Sequence, residues 1–348
     1  MNLPRKHAFT LVELLVVIGI IGVLVAILLP SLNRARESAN AIKCAANLRS
    51  IGQALNVYSA QYKGVLPPSN YYKGLAFDSV TGQVPTQPSN GFVHWSSFLY
   101  SNKAGESTTD AAFKSLQGWD AFSCPSLEKG GLPPANTYPG NRESGLGNDT
   151  GNDSIIDWQA PRLAYTVNEA LFPRGIFRLF FDSRNNKRIY KFVNIGRIHH
   201  AAETVMVTEI WGSQTVMQAD SLANPGTPSS NTRRPVNGIS SLSGCKADEP
   251  YTLAYASNYI LAKVTDLHTD PEAQVQGGAT TVRSTLDYVG RNHGGSKTFG
   301  NVAGDTRKGW DLRKTNFLYV DGHVETKHVT ETLYPQSQWG DQFYTLTK

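Results

Sequence analysis

The first thirty residues carry the strongest pattern in the chain, a long apolar run behind a short basic segment. From Phe9 to Leu29 only Thr10 and Glu13 are polar. A helix of this length is about long enough to cross the ~30 Å hydrocarbon core of a bilayer. The run therefore predicts a transmembrane helix over residues 9–29.

Beyond Pro30 the apolar positions fall on one face only. They recur at alternating steps of three and four residues, which is the period of a helix that buries one side. The helix is therefore predicted to continue to about Tyr62, with residues 31–62 amphipathic and with a kink rather than an end at Pro30. The apolar face consists of Ala41, Cys44, Leu48, Ile51, Leu55, Tyr58 and Tyr62.

After Lys63-Gly64 and Pro67-Pro68, which end the helix, the pattern changes to short apolar segments between long Gly-, Pro-, Asn- and Ser-rich intervals. Such segments read as strands separated by loops. The predicted strands are Arg162–Val167, Ile176–Phe181, Thr204–Ile210, Asn316–Val320 and His323–Thr326. The expected fold class is α+β, a long N-terminal helix packed on an antiparallel β-rich head formed by residues 63–348.

The clearest local signal in the head is the C-terminal hairpin, residues 315–326. Asp321-Gly322 stands between two segments of alternating apolar residues. This dipeptide favours the two-residue type I′ turn, so a tight hairpin is predicted there.

Charges around the apolar run predict its orientation. Arg5 and Lys6 precede it, whereas the charges just beyond it are mixed, at Arg34, Arg36 and Glu37. By the positive-inside rule the N-terminus stays in the cytoplasm. The head then lies on the outer side of the cytoplasmic membrane.

Two features distinguish the run from an ordinary secretory signal. The small residue of the Ala8-Phe9 step lies before the apolar run instead of after it, so cleavage there removes residues 1–8 and leaves the helix in place. Glu13 costs about 2.5–3.5 kcal/mol in a lipid-embedded helix, which marks it as functional. Its natural partner is the α-amino group that cleavage creates at Phe9, and pairing between neighbouring subunits would set their register.

The segment Ala8 to Glu13, followed by the apolar run and Pro30, resembles the class III signal of type IV pilins and type II secretion pseudopilins. The resemblance implies that a prepilin peptidase cuts before Phe9 and methylates its amine, and that Glu13 fixes the filament register. It also implies other pilin or pseudopilin subunits and an inner-membrane assembly platform as partners. Ala8 stands where this family most often has Gly.

The rest of the chain is similar to pilin-like proteins named for an H-X9-DG C-terminal motif, which have a β-rich head. Here 27 residues separate His293 from Asp321-Gly322, where the name implies nine. If the two motif parts meet in space, the inserted segment Thr298 to Arg313 must loop out. The role of the motif stays open. The matching residues are Cys44, Asn47–Arg49, Gly52, Leu55, Tyr58, Phe122–Ser126, Glu203–Val205, His293–Gly295 and Asn316–Val324.

Three cysteines allow one disulfide if the head lies outside the cytoplasm. Cys44, Cys124 and Cys245 show no CxxC or Cys/His spacing, so they predict no metal centre. The sequence does not select a pair. Cys44–Cys124 is the favoured interpretation, against three separate core residues.

Net charge gives no sign of a nucleic-acid partner. The formal charge of +5 includes Arg5 and Lys6, and without residues 1–8 the chain has 31 basic against 28 acidic side chains, or +3. No basic block interleaved with aromatic residues remains.

No pattern predicts catalysis, because P-loop, GxSxG, GxGxxG and HExxH signatures are all missing. His323 and Glu325 can face the same side of a strand, which allows a metal pair, but an exposed polar edge is the preferred interpretation. The resemblance to pseudopilins implies calcium as a candidate cofactor, for which Asp149, Asp153 and Asp157 offer oxygen ligands at short spacing. A polar loop is preferred, so no cofactor is predicted.

These patterns predict a pilin-like structural subunit and not an enzyme. It would sit in the inner membrane of a bacterium with its head in the periplasm, and later in a periplasmic or extracellular filament. Both a pilus and a pseudopilus fit.

One rival is a membrane-anchored hydrolase that uses His323. The main alternative is an anchored extracellular binding module, at a filament tip or cell surface, whose aromatic side chains stack on sugars. Its candidate residues are Tyr71, Tyr72, Trp95, Trp119 and Trp158.

Overall fold

A long N-terminal helix and an antiparallel sheet dominate the structure, a computed structural model. Helix α1 runs over Leu11–Gln61, which is 51 residues or about 77 Å at 1.5 Å per residue. The α+β class and the pilin-like arrangement of helix and head are confirmed. The structure describes residues 11–72, 92–100, 119–132, 160–172, 181–182, 187–188, 192–211, 235–236, 238–241, 259–276, 284–295 and 297–344.

The head is built on one four-stranded antiparallel sheet. Its strands are β3 (Tyr165–Val167), β6 (Val205–Glu209), β11 (Thr315–Tyr319) and β12 (Val324–Lys327), in the order β12-β11-β6-β3. Every residue of β3, β6 and β11 is buried, because both faces of the sheet are covered. β12 forms an edge and alternates between partly buried and exposed residues.

Smaller elements surround this sheet. The paired strands are β1 (Asn70–Tyr72) with β2 (Phe92–His94), β4 (Phe181–Asp182) with β5 (Lys187–Arg188), β7 (Ile239–Ser241) with β8 (Tyr259–Leu261), and β9 (Phe299–Gly300) with β10 (Trp310–Asp311). The short α-helices are α2 (Trp95–Tyr100) and α3 (Pro271–Gln276). The 3-10 turns are Trp119–Phe122, Glu128–Gly130, Ile195–Arg197, Val264–Asp266, Thr285–Tyr288 and Val329–Thr332.

Two apolar clusters form the core, one on each side of the sheet. The first joins the C-terminal half of α1 to the sheet through residues such as Leu48, Ile51 and Leu318. The second lies on the opposite side and includes Trp310 and Trp339. Because the first cluster needs side chains of both the helix and the sheet, α1 is an integral part of the head over its last five turns.

The apolar face of α1 is buried over its middle and open at its end. Cys44, Leu48, Ile51 and Leu55 are fully buried. The expectation for Tyr62 was wrong, because its side chain is 54% exposed and stacks on Tyr58 instead, with ring centroids 4.3 Å apart. The helix ends just before Lys63-Gly64, whose positive φ angles turn the chain out of the helical path.

The strand predictions differ from the structure mainly at their ends. The segment predicted over Thr204–Ile210 forms β6, and Arg162–Val167 contributes β3 after an isolated bridge at Leu163. Most of Ile176–Phe181 lies outside the described residues.

The C-terminal hairpin forms with a different turn from the one predicted. Only Gly322, with φ 95°, has a positive φ in the connection, whereas a type I′ turn needs two such residues. The Gly322 amide donates to the Tyr319 carbonyl at 3.0 Å, and the Tyr319 amide donates to the His323 carbonyl at 2.9 Å. This is a three-residue connection of the type I plus bulge kind. Asp321 therefore keeps an ordinary backbone, and its amide donates to Ala201 at 3.3 Å.

Candidate functional site: the stem and the junction

The N-terminal part of α1, which we call the stem (residues 11–29), touches no described part of the head. Its large apolar side chains are between 45% (Val17) and 78% (Leu11) exposed. α1 is the one helix among the described residues that is long and apolar enough to cross a bilayer. So much apolar surface is unfavourable in water at about 25 cal/mol per Å². The stem therefore requires lipid or other helices around it.

Glu13 is the single acidic residue of the stem and lies in the first described turn of α1. Ala8 and Phe9 lie outside the described residues, so cleavage between them and pairing of the Phe9 amine with Glu13 stay predictions. Pro30 does not end the helix, because α1 continues through it to Gln61.

A disulfide fastens α1 to the head. Cys44 on the buried face of the helix is bonded to Cys124, with the two Cα atoms 5.1 Å apart. This is the pair that the sequence analysis favoured. Asn47, one turn further along, donates to the carbonyl of Ser123 at 2.6 Å. Helix and loop are therefore held by a covalent bond and by a hydrogen bond beside it.

A buried polar group lies next to this disulfide, in an otherwise apolar interior. We call it the junction: Cys44, Cys124, Glu209, His293 and Asn316, each at most 1% exposed. His293 Nε2 lies 2.8 Å from Glu209 Oε2, and Asn316 Nδ2 donates to Glu209 Oε1 at 2.7 Å. Asn316 Nδ2 also reaches the carbonyl of Ala41 in α1, at 3.3 Å. The junction thus ties helix, β6 and β11 together with polar contacts that burial makes expensive to lose.

Neighbouring hydroxyl groups complete the hydrogen bonding of the junction. Thr315 Oγ1 donates to Glu209 Oε2 at 3.1 Å, and His293 Nδ1 lies 3.2 Å from Ser126 Oγ. Burial raises the pKa of Tyr165 well above its usual value, and the charge of Glu209 adds to the effect. Its hydroxyl therefore remains protonated and donates to the Cys44 carbonyl at 3.2 Å.

A groove of about 400 Å³ opens beside the junction, between α1 and the head. Its walls include Arg34, Glu37, His293 and Lys314. The Glu37 carboxylate accepts a hydrogen bond from the Gly295 amide. Gly294 and Gly295 both have positive φ, 102° and 92°, a backbone that side-chain-bearing residues rarely adopt. The His-Gly-Gly sequence thereby directs a backbone amide at the helix.

The two parts of the H…DG motif do not meet. His293 pairs with Lys314 just before β11, whereas Asp321 lies in the turn after it. Seven residues of extended chain separate Lys314 from Asp321, which is about 23 Å at 3.3 Å per residue. The sequence analysis expected the segment Thr298 to Arg313 to loop out if His293 and Asp321 meet in space. His293 and Asp321 do not meet, so the condition for that expectation is wrong for this chain.

The inserted segment 298–313 packs against the head instead of projecting from it. It forms the β9–β10 pair, with Trp310 opposite Gly300, and the Trp310 side chain is fully buried. Arg307 donates to the carbonyls of Leu267 and Val264 at 3.0 and 3.1 Å. The insertion therefore enlarges the second core cluster.

Trp310 belongs to an alternating stack of arginine and tryptophan side chains that the sequence analysis missed. The Arg291 guanidinium lies over both Trp211 and Trp310, 5.9 and 5.7 Å from their ring centroids, while Arg313 lies 5.5 Å from the Trp211 centroid and Arg307 lies 5.2 Å from the Trp310 centroid. Burial lowers the pKa of Arg291 to about 10, so it stays charged at neutral pH. Residues far apart in sequence build this stack, and no local spacing signals it.

The hairpin residues form an exposed edge. His323 stacks on Tyr319 at 4.2 Å and contacts Asp321 at 2.6 Å, while Glu325 is 3.8 Å away. The pKa of Glu325 is lowered by the hydrogen bond from Lys327. These contacts match the polar-edge interpretation, and Glu325 is engaged by Lys327 more closely than by His323.

The structure supports none of the remaining candidates for calcium or sugar binding among the residues it describes. Asp149, Asp153 and Asp157 lie outside the described residues, as do Trp158 and the side chains of Tyr71 and Tyr72. Trp95 is 1% exposed, so the expectation that it stacks on sugars was wrong. Trp119 is partly buried and packs against the first core cluster.

Residues 3–29 match the family model described as the prokaryotic N-terminal methylation motif. Comparisons with curated proteins and with solved structures found no match. The matched segment covers the basic leader, Ala8-Phe9, Glu13 and the whole stem. It indicates a type IV pilin-like protein that is processed by a prepilin peptidase, and proteins of this kind are typically structural.

Proposed function

We propose that this protein is a structural subunit of a type IV pilus or a type II secretion pseudopilus. Its precursor is inserted in the inner membrane with the N-terminus in the cytoplasm and the head in the periplasm. Prepilin peptidase cuts between Ala8 and Phe9 and methylates the new amine, and the stem then packs with the stems of other subunits.

One observation carries the proposal: a single helix is apolar and uncovered over residues 11–29 yet covalently fixed to the head at Cys44. Such a helix has two environments that satisfy its surface, a bilayer or a bundle of similar apolar helices from other subunits. The N-terminal methylation motif over residues 3–29 supports the passage from the first to the second. Partners are therefore the peptidase, other pilin or pseudopilin subunits and an inner-membrane assembly platform.

Glu13 supplies the register in this proposal. A carboxylate in an apolar helix bundle is costly unless it is paired. The Phe9 amine of the preceding subunit provides the opposite charge at the correct depth when parallel helices are staggered along the filament axis. Each added subunit then buries one charge pair instead of two separate charges.

The test is Glu13→Ala in cells that carry the peptidase and the assembly platform, with Glu203→Ala on the exposed head surface as the matched control. We expect normal membrane insertion and loss of residues 1–8 for both variants. Glu13→Ala should be reduced in the sheared filament fraction, while Glu203→Ala should enter filaments like the wild type. Equal incorporation of both variants would contradict the register role.

A second measurement tests processing. Mass spectrometry of the mature protein should show loss of residues 1–8 together with one added methyl group. Replacing Ala8 with a bulky residue should leave the precursor at full mass. Cleavage without methylation, or cleavage of the bulky variant, would contradict this part of the proposal.

A further inference from the structure

The junction brings four metal-binding side chains to one point. Cys44, Cys124, Glu209 and His293 each offer one donor atom, and these atoms all lie within 4.8 Å of one another. They come from α1, the loop after Trp119–Phe122, β6 and the segment before β9. All four residues are at most 1% exposed. No sequence spacing connects them, since only the fold assembles the group.

Two sulfurs, an imidazole nitrogen and a carboxylate oxygen form a donor set suited to zinc. Zinc binds sulfur at about 2.3 Å and nitrogen or oxygen at about 2.0–2.2 Å, in a tetrahedron. Donors in such a tetrahedron lie about 3.5 Å apart. With all donors already within 4.8 Å, side-chain shifts of about 1 Å produce this geometry once the sulfurs are no longer bonded to each other.

The hydrogen bonds around His293 and Glu209 also have the arrangement found around metal ligands. A metal-bound histidine usually uses its other ring nitrogen for a hydrogen bond that fixes the ring. Here Nε2 of His293 faces Glu209 and Nδ1 lies 3.2 Å from Ser126 Oγ. The Glu209 carboxylate is oriented by Asn316 and Thr315. With zinc on Nε2, His293 would keep its hydrogen bond to Ser126. With zinc on one carboxylate oxygen, Glu209 would keep its hydrogen bonds from Asn316 and Thr315.

We propose that the thiol form of this protein binds one zinc ion through Cys44, Cys124, His293 and Glu209, so that the metal and the disulfide are alternative occupants of the junction. A dithiol reductant breaks the S–S bond, gives two electrons to the cysteine sulfurs and becomes a disulfide itself. Zinc then replaces the protons of the two thiols, which pass to solvent. In the reverse direction a chelator takes up the zinc ion and the two thiols regain their protons. A small-molecule disulfide then exchanges with these thiols, accepts their two electrons and two protons to become two thiols itself, and leaves the Cys44–Cys124 bond.

The groove beside the junction gives the ion a path. It reaches His293 from solvent, and the Glu37 carboxylate stands in its wall. Either occupant fixes α1 to the head at the same place. A head that reaches the cell envelope with reduced thiols would therefore keep its connection to the helix until the disulfide forms.

The experiment uses the full chain with Cys245→Ser, purified in detergent micelles, so that the third thiol contributes nothing. The protein is reduced with a dithiol, freed of it without oxygen, and titrated with zinc. We expect one zinc per reduced chain and none per oxidised chain, with cobalt giving the absorption of tetrahedral thiolate coordination. Circular dichroism in the aromatic region follows folding. A folded reduced chain that binds no zinc overturns the proposal, as does a chain that unfolds on reduction and does not refold with zinc.

Matched variants locate the site. Ser126→Ala removes the partner of His293 and should weaken zinc binding about 10–100-fold, whereas Ser50→Ala on the exposed face of α1 should leave it unchanged. His293→Ala should lose binding. Equal zinc affinity for Ser126→Ala and Ser50→Ala, or full affinity for His293→Ala, would place the metal elsewhere and overturn the assignment. The measurement does not involve filament assembly, so its result is independent of the proposed function.

Discussion

Asn316 connects three parts of the molecule through one side chain. Its amide nitrogen donates to Glu209 in β6 and to the Ala41 carbonyl in α1, and its oxygen accepts from Thr326 in β12. It is fully buried, so water cannot replace a lost partner. A buried acceptor without a donor costs about 1–3 kcal/mol.

We therefore expect Asn316→Ala to lower the free energy of unfolding by about 3 kcal/mol, because it leaves the Glu209 carboxylate and a helix carbonyl short of donors. Urea unfolding of the full chain in a mild detergent, followed by tryptophan fluorescence, measures the change. Asn56→Ala, on the exposed side of α1, removes the same group and should change stability by at most about 0.5 kcal/mol. Similar losses for the two variants would show that the polar contacts of Asn316 matter little.

His328 makes the stability of the head depend on pH. It is 5% exposed, and burial, helped by the charge of Arg291, lowers its pKa to about 4. Below pH 6.5 the unfolded chain takes up a proton that the folded chain refuses until about pH 4. The His328 contribution to the free energy of unfolding is therefore fully present above pH 6.5. It falls by about 3 kcal/mol as the pH drops from 6.5 to 4.

The comparison is His328→Gln, which keeps a donor for the Asp311 carbonyl and an acceptor but does not titrate. Carboxylates also titrate toward the low end of this range, so the difference between the two proteins is the quantity of interest. Wild-type stability should fall more steeply than that of His328→Gln between pH 6.5 and 4. Parallel curves would exclude His328 as the source.

At the scale of elements, the contact between α1 and β11 depends on a residue without a side chain. A Cβ atom placed on Gly52 would lie 3.0 Å from Leu318 Cδ1 and 3.2 Å from Cδ2. Such distances are shorter than ordinary carbon contacts of 3.5–4.0 Å. Gly52 is therefore the point of close approach, and its cost in helix propensity, about 1 kcal/mol, is offset by the packing.

Gly52→Leu should lower the free energy of unfolding by about 1–3 kcal/mol, since overpacked cores lose about this much. The neighbouring Gln53 is exposed, so Gln53→Leu adds the same side chain without the clash and should stay within about 0.5 kcal/mol of the wild type. Thermal unfolding of both variants in detergent separates the two effects. If Gly52→Leu is as stable as Gln53→Leu, helix and sheet can move apart at no cost.

How far the sequence predicts each element depends on how local its signal is. Local apolar patterns predict three of these elements. They are the continuous apolar run of residues 9–29 for the stem, the helical period of residues 41–55 for the buried face of α1, and the short apolar segment 204–210 for β6. Glu209 and Asn316 are polar residues at buried positions, and their burial depends on partners distant in sequence, including each other, 107 positions apart. The same holds for Arg291 over two tryptophans. The prediction of the hairpin turn type was wrong for a different reason, because an Asp-Gly pair such as Asp321-Gly322 fits connections of more than one length.

At the scale of the whole molecule, the chain is a head fixed to the C-terminal half of a helical rod whose N-terminal part, residues 11–29, is apolar. The disulfide and the junction hold the helix from Cys44 onward, and nothing described in the head covers residues 11–29. The rod can therefore exchange lipid for other helices without any rearrangement of the head. This separation lets one membrane-inserted form serve as the precursor of an assembled one.

Orientation in the membrane follows from charge and can be measured directly. The precursor is kept uncleaved in cells without prepilin peptidase, in the Cys245→Ser background. Lys308→Cys, at an exposed position of the head, should react with a membrane-impermeant maleimide in intact spheroplasts. Asn2→Cys should react only after lysis. The reverse pattern would exclude a periplasmic head.

The cause of this orientation is tested by the leader charges themselves. Arg5 and Lys6 are the basic residues that precede the stem closely enough to act on insertion. Changing both to Glu removes the positive bias while the stem, the junction and the head stay the same. We expect part of the Asn2→Cys population to become reactive in intact spheroplasts and Lys308→Cys to lose reactivity in the same proportion. Because the folded head is too large to cross the bilayer after folding, an unchanged labelling pattern would mean that export of the head, and not the leader charge, decides the orientation.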